Sequence, residues 1–145
     1  MTRIERNALV PFSCKQMFAL VNDIESYPEY MPGCVGAKIL VRHDESLDAR
    51  LDIQRMGVRQ SFSTRNILTP PSSMRMSLLG GPFKSLESEW CFDALSDTAC
   101  KVRFWIEIEF SNAILALTLP AFFEKNASDQ VSALCDRAKR IYPEG

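Results

Sequence analysis

The residues from Pro120 to Tyr142 carry an apolar stripe that has to be covered, and no other stretch limits the fold as much. At the helical period Phe123, Ala127, Leu134, Ala138 and Ile141 share one face, flanked by Leu119 and Val131. Glu124, Lys125, Ser128, Ser132, Asp136 and Lys139 take the other face. Extended back to Ser111, the helix would span on the order of 45 Å at ~1.5 Å per residue. Pro120 is therefore expected to kink it or to begin it. The segment Ala113–Leu119 then becomes a separate apolar piece, expected to act as a movable flap over one cavity mouth and as a part that could touch a membrane or a partner. A helix with such a stripe needs a broad partner surface.

The rest of the chain supplies one. Ile4, Ala8 and Val10 alternate against Arg3, Glu5 and Asn7, which predicts a first strand ended by Pro11, with Arg6 on the apolar side. Ser13 followed by Gln16 is a capping box, with Phe12 and Met17 at staple positions, so a helix is expected from Cys14 to about Asp23. Met17, Leu20, Val21 and Ile24 would face inward. Ser26 with Glu29 repeats the signal, and Pro32-Gly33 limits this second helix to a turn or two. From Ala37 to Phe110 the period changes to two. Strands are expected at Lys38–His43, Leu47–Met56, Val58–Thr69, Met74–Leu78, Phe83–Leu95 and Cys100–Phe110, separated by short polar or glycine turns. In the last of these, Cys100, Val102, Phe104, Ile106, Ile108 and Phe110 face in and leave Trp105 as the one exposed aromatic. Clean alternation joined by short turns implies an antiparallel meander with one buried face.

A sheet of seven antiparallel strands twists and curls. Wrapped round one helix, it encloses more volume than one layer of helix side chains fills. The pattern leaves two outcomes open: large inward side chains fill that space, or they line a ligand cavity on the order of a few hundred Å3. The candidate lining residues are Tyr27, Met31, Phe62, Met76, Phe83, Trp90, Phe92, Phe104, Ile106, Leu119, Phe122, Phe123, Ala127 and Val131. Arg6, Tyr27 and Tyr30 are the candidates to meet a polar head group.

Composition removes several function classes. The 145 residues carry 46% apolar and 24% charged side chains with a formal net charge of -1, ordinary for one soluble domain spanning 1–145. Near-neutral charge gives no global attraction to DNA or an anionic membrane. Charges at Arg3, Glu5 and Arg6 interrupt any export signal, so a cytoplasmic location is expected. Five scattered cysteines without a Cys-x-x-Cys pattern read as reduced thiols, and one histidine with no ligand spacing argues against a metal site. That histidine, His43, lies in a polar hairpin. No nucleophile–histidine constellation can be assembled around it, so catalysis is not expected.

Several motifs resemble the helix-grip fold of the START-related superfamily, in the coenzyme Q-binding and polyketide cyclase-like branch that includes the bacterial ribosome-association toxins. They are Ala8-Leu9-Val10-Pro11, Val21-Asn22-Asp23, Tyr27-Pro28, Pro32-Gly33-Cys34, Thr64-Arg65-Asn66, Gly81-Pro82-Phe83-Lys84, Trp90-Cys91-Phe92, Phe104 to Asn112 and Arg137-Ala138-Lys139. The resemblance implies an α+β fold: a curved seven-stranded antiparallel sheet round a long C-terminal helix, with two short helices after the first strand. It also implies no cofactor beyond a bound lipid, and three functional classes. One is a carrier of ubiquinone or another isoprenoid lipid serving respiration, monomeric and in transient contact with the inner membrane. The second is a toxin that binds the large ribosomal subunit and blocks its joining with the small one. The third is a polyketide cyclase- or dehydratase-like enzyme. A ribosome contact would use the densest basic positions, Arg55 and Arg59 or Arg137 and Arg140. Both clusters are interspersed with acids and lack the surface aromatics of a base-stacking platform.

Overall fold

A computed structural model describes residues 2–55, 57–111, 117 and 120–142. The first strand, β1 (Thr2–Val10), leads through Pro11 into α1 (Cys14–Asn22), where the expected capping box is formed. The Gln16 amide N–H donates to Ser13 Oγ at 3.1 Å, and the Ser13 N–H donates to Gln16 Oε1 at 2.9 Å. Phe12 and Met17 are both buried, as their staple positions require. A 3-10 helix follows at Ile24–Glu29. Its N-cap is Asp23 and not Ser26: the Ser26 hydroxyl points back and donates to Asp23 Oδ2 at 2.7 Å.

The sheet is then laid down in order as β2 (Cys34–Arg42), β3 (Ser46–Arg55), β4 (Val58–Thr69), β5 (Ser73–Gly80), β6 (Phe83–Ser96) and β7 (Ala99–Phe110). β1 closes it beside β7, giving one seven-stranded sheet in the order β1-β7-β6-β5-β4-β3-β2, antiparallel throughout. Side-chain alternation sends Leu47, Ala49 and Ile53 of β3, and Leu86, Ser88, Trp90 and Phe92 of β6, to the concave face. Cys100, Val102, Phe104 and Ile108 of β7 join them there. The convex face carries ion pairs such as Arg65–Asp48 and Arg103–Asp93. Trp105 is not simply exposed on that face. Its ring lies between the guanidinium groups of Arg3 and Arg75, 4.7 and 5.2 Å from the centroid, and its Nε1–H donates to Glu89 at 3.1 Å.

The second α-helix, α2 (Pro120–Ile141), lies in the concave face. Pro120 is its first residue, a position where the missing N–H costs nothing. Phe123, Ala127, Val131, Leu134 and Ala138 are buried at the predicted spacing, whereas Ile141 is 45% exposed because it falls in the last turn, at the helix end. Polar contacts hold the helix from three sides. Arg6 of β1 donates through Nε to Ser128 Oγ at 2.7 Å, Asn126 Nδ2 donates to the Pro32 carbonyl at 3.3 Å, and the Tyr142 hydroxyl donates to the Gln16 carbonyl at 3.3 Å. The edge strand β2 is covered where the Ile39 N–H donates to Glu25 Oε2 at 3.2 Å, which removes one free edge group. No helix among the described residues is long and apolar enough to cross a membrane. The flap expected at Ala113–Leu119 lies outside the described residues apart from Leu117, which is helical and 86% exposed.

Candidate ligand cavity

A cavity of about 80 Å3 lies between the centre of the sheet and the N-terminal half of α2. On a scale where one water requires about 10–15 Å3, this is room for a single substituted ring and not for a long chain. The few hundred Å3 expected from sequence is therefore too large. Aromatic and thioether side chains occupy much of the space: the Trp90 and Phe104 rings are 4.4 Å apart, and Tyr27, Met31 and Met76 converge beside them.

Most of the candidate residues meet at this site. Tyr27, Met31, Phe62, Met76, Trp90, Phe104, Ile106, Phe123 and Ala127 all line the cavity. Phe83 does not; it is buried at one end, in edge-to-face contact with Phe62 at 5.7 Å and Phe123 at 5.5 Å, with Phe110 at 6.2 Å closing the cluster. Gly81 permits this packing. Its φ is +151°, and a Cβ there would lie 2.7 Å from the Phe62 Cβ. Phe92 points instead at α1, with its ring edge-on to Phe18 at 6.4 Å. Val131 is core between helix and sheet, one turn beyond the cavity. Leu119 and the Phe122 side chain lie outside the described residues.

Neither Arg6 nor Tyr30 lines the cavity. Arg6 spends its head group on α2, where Nη2 also pairs with Glu124 at 3.6 Å. Tyr30 faces the opposite side of the 3-10 helix, its ring under the Arg137 guanidinium at 4.9 Å. Burial pushes its hydroxyl well above the usual tyrosine range, so it stays protonated. Tyr27 does line the cavity, but its hydroxyl donates to the Val21 carbonyl and so braces α1 against the 3-10 helix.

The polar character of the site comes from elsewhere. Thr64, Asn66, Ser88 and Asn126 are the buried polar side chains among the described residues, and all four line this cavity. Gln130 joins them from α2, donating through Nε2 to Asn126 Oδ1 at 2.5 Å. Thr64 donates to Asn66 Oδ1 at 2.6 Å, and Ser88 donates to the Trp105 carbonyl at 2.9 Å. For the strand residues the sequence signal was phase: Thr64 and Asn66 lie two and four residues from Phe62 in β4, and Ser88 two from Trp90 in β6. No Asp, Glu, Lys, Arg or His side chain is among the described lining residues. Cys34 lines one wall, and burial raises its thiol pKa, which keeps it neutral. An uncharged, hydrogen-bonding, mostly apolar lining is suited to holding a molecule.

The basic candidates are dispersed. Arg59 is exposed and donates to Gln54 Oε1 at 3.1 Å, while the Arg55 side chain lies outside the described residues. Arg137 is largely buried, stacked on Tyr30 and paired with Glu29 at 3.3 Å, so it serves the helix contact and is not presented outward. Arg140 is exposed one turn from Asp136, and both line a cleft between α2 and the end of the 3-10 helix.

Residues 10–135 match a protein family described as polyketide cyclase / dehydrase and lipid transport. The chain belongs to that family. Within this polyketide cyclase and lipid-transport family, the chain is 42% identical over 142 residues to the ribosome association toxin RatA of Escherichia coli K12, covering 98% of this chain and 90% of that one. It is also 28% identical over 147 residues to the coenzyme Q-binding protein COQ10 homolog B of Xenopus laevis, covering 97% of this chain and 60% of that one. The fold matches the crystal structure of the ZhuI aromatase/cyclase from Streptomyces sp. R1128 with a TM-score of 0.90 at 17% identity, over 99% and 98% of the two chains. The START-like helix-grip architecture expected from the motifs is thus the one present.

Proposed function

We propose that this protein binds an isoprenoid-tailed, ubiquinone-like amphiphile, with its ring between the sheet and α2, and carries it between membrane and protein partners. The observation that carries the reading is the partly open cavity with its apolar walls and buried polar floor. A void in a core costs packing energy, roughly 24 cal/mol per Å3, which a bound ring would recover. The similarity to a coenzyme Q-binding protein supports the same chemistry. At about 80 Å3 the cavity takes a ring alone, so the tail would leave through its open side. Native mass spectrometry of the purified protein, followed by organic extraction, tests this. A retained hydrophobic molecule of defined mass is expected. Protein at its bare sequence mass that takes up no added short-tail ubiquinone would refute the reading.

A second reading rests on the 42% identity to RatA over almost the whole chain: association with the large ribosomal subunit, blocking its joining with the small one. The cavity does not oppose it, since the convex face and the α2 surface remain free for a partner. The described basic residues are interspersed with acids, as in the pairs Arg65–Asp48 and Arg103–Asp93, which points to ribosomal protein more than to bare rRNA as the contact. Co-sedimentation with large subunits at low salt is expected, weakened by charge reversal at Arg59 and Arg140. No co-sedimentation at low salt would exclude it.

A further inference from the structure

We infer that the cavity selects an uncharged ring bearing hydrogen-bonding groups on opposite edges, read by Asn66 and Ser88 from the sheet and by Gln130 from the helix. This rests on the ligand-binding reading above and specifies which head group the site accepts.

Strand register places the first two readers. Asn66 of β4 lies opposite Met76 of β5, and Met76 lies opposite Ser88 of β6, so the three form one row across the concave face. Strands are spaced about 4.8 Å apart, which puts Asn66 and Ser88 roughly 10 Å apart with the Met76 thioether between them. A flat ring resting on that thioether presents one edge to each. Both polar residues are buried, at 3% exposure, yet neither has exhausted its hydrogen-bonding capacity within the protein. The Asn66 amide spends one N–H on Met74 Sδ at 3.6 Å, a weak acceptor, and its second N–H meets no acceptor among the described residues. The Asn66 carbonyl oxygen is already engaged by Thr64, which fixes the amide so that what it can still offer is an N–H. Ser88 has given its proton to the Trp105 carbonyl and keeps oxygen lone pairs to accept from a hydroxyl. Gln130 is turned by its bond to Asn126, itself tied to the Pro32 carbonyl, and its amide oxygen and second N–H have no further partner among the described residues.

Burying an incompletely paired amide costs about 1–3 kcal/mol, and nothing in the apolar packing of the sheet calls for an asparagine at this position. A carbonyl accepting from Asn66 repays that cost. A carboxylate or phosphate head would enter a cavity whose described lining carries no cation, and its desolvation would go uncompensated. The site therefore discriminates by charge as well as by shape.

The test is calorimetric titration of the whole protein with three probes sharing a ten-carbon tail: decyl-ubiquinone, decylbenzene and the linear carboxylate undecanoate. Asn66→Leu, Ser88→Ala and Gln130→Met are compared with the unmodified chain. The quinone is expected to bind at least tenfold more tightly than either control. Each variant is expected to lose roughly 3- to 10-fold in quinone affinity, the worth of one neutral hydrogen bond, with decylbenzene unaffected. Gln130 is only half-buried, so its variant folds even if Asn66→Leu does not. Comparable affinity for quinone and decylbenzene, or a quinone affinity untouched by Ser88→Ala and Gln130→Met, overturns the head-group assignment while leaving the cavity as a binding site. Binding of none of the three probes overturns the binding reading itself.

Discussion

Cys100 shows what a single buried side chain contributes. It is fully buried on the concave face, and burial, with Cys14 beside it, raises its thiol from an ordinary value of 9.0 to about 12. The unfolded chain ionises first, so the stability from keeping this thiol neutral is complete below pH 9 and fades as the pH climbs towards 12. Urea midpoints at pH 8 and pH 10.5 should therefore fall more steeply for the unmodified protein than for Cys100→Ala; equal slopes would count against a buried neutral thiol. Residue-level roles were the hardest to foresee. The alternation of β4 and β6 put Thr64, Asn66 and Ser88 inward, but pattern alone does not say that inward polar groups converge on one void. Arg6 and Tyr30 misled because an inward or aromatic position says nothing of how far the side chain reaches. Arg6 reaches Ser128 and Tyr30 reaches Arg137 before either could meet a ligand.

Elements were more legible, because two periods, 3.6 and 2, separate helix from sheet without ambiguity in this chain. The capping box at Ser13 and Gln16 formed as read. The ladder is irregular at two places that the period alone does not show. A register shift between Ile39 and Val41 turns Leu40 and Val41 towards solvent, and another beyond Ala94 leaves that residue exposed although it lies in the inward phase. Cys91 went the other way: on the outer face, it is buried among the side chains of Glu89, Asp93 and Arg103. The turn before β6 is the element most sensitive to change. Gly81→Ala would place a methyl 2.7 Å from the Phe62 Cβ and 3.2 Å from its Cα, at a φ of +151°. A loss of about 1–3 kcal/mol is expected, read as a lowered urea midpoint with unchanged m-value. Phe62 would also have to shift, so affinity for a ring-bearing ligand should fall in the same variant. A Gly81→Ala protein as stable as the parent would mean the aromatic cluster is loosely packed.

For the whole molecule, the order of strand, helices, meander and long helix left few ways to cover the α2 stripe, and the sheet wraps it as that order requires. Volume was not legible in the same way. How much space remains after packing depends on rotamers of Met31, Met76, Trp90 and Phe104, and the answer, about 80 Å3, separates a head-group site from a lipid tunnel. The central claim is that a ring enters this space beside Trp90. The chain has two tryptophans, and Trp105 sits on the outer face between Arg3 and Arg75, so a Trp105→Phe variant leaves Trp90 as the sole indole reporter. Titrating that variant with short-tail ubiquinone and following tryptophan fluorescence tests the claim most directly. Saturable quenching at one equivalent is the predicted result, and quenching that only rises linearly with added quinone would contradict it.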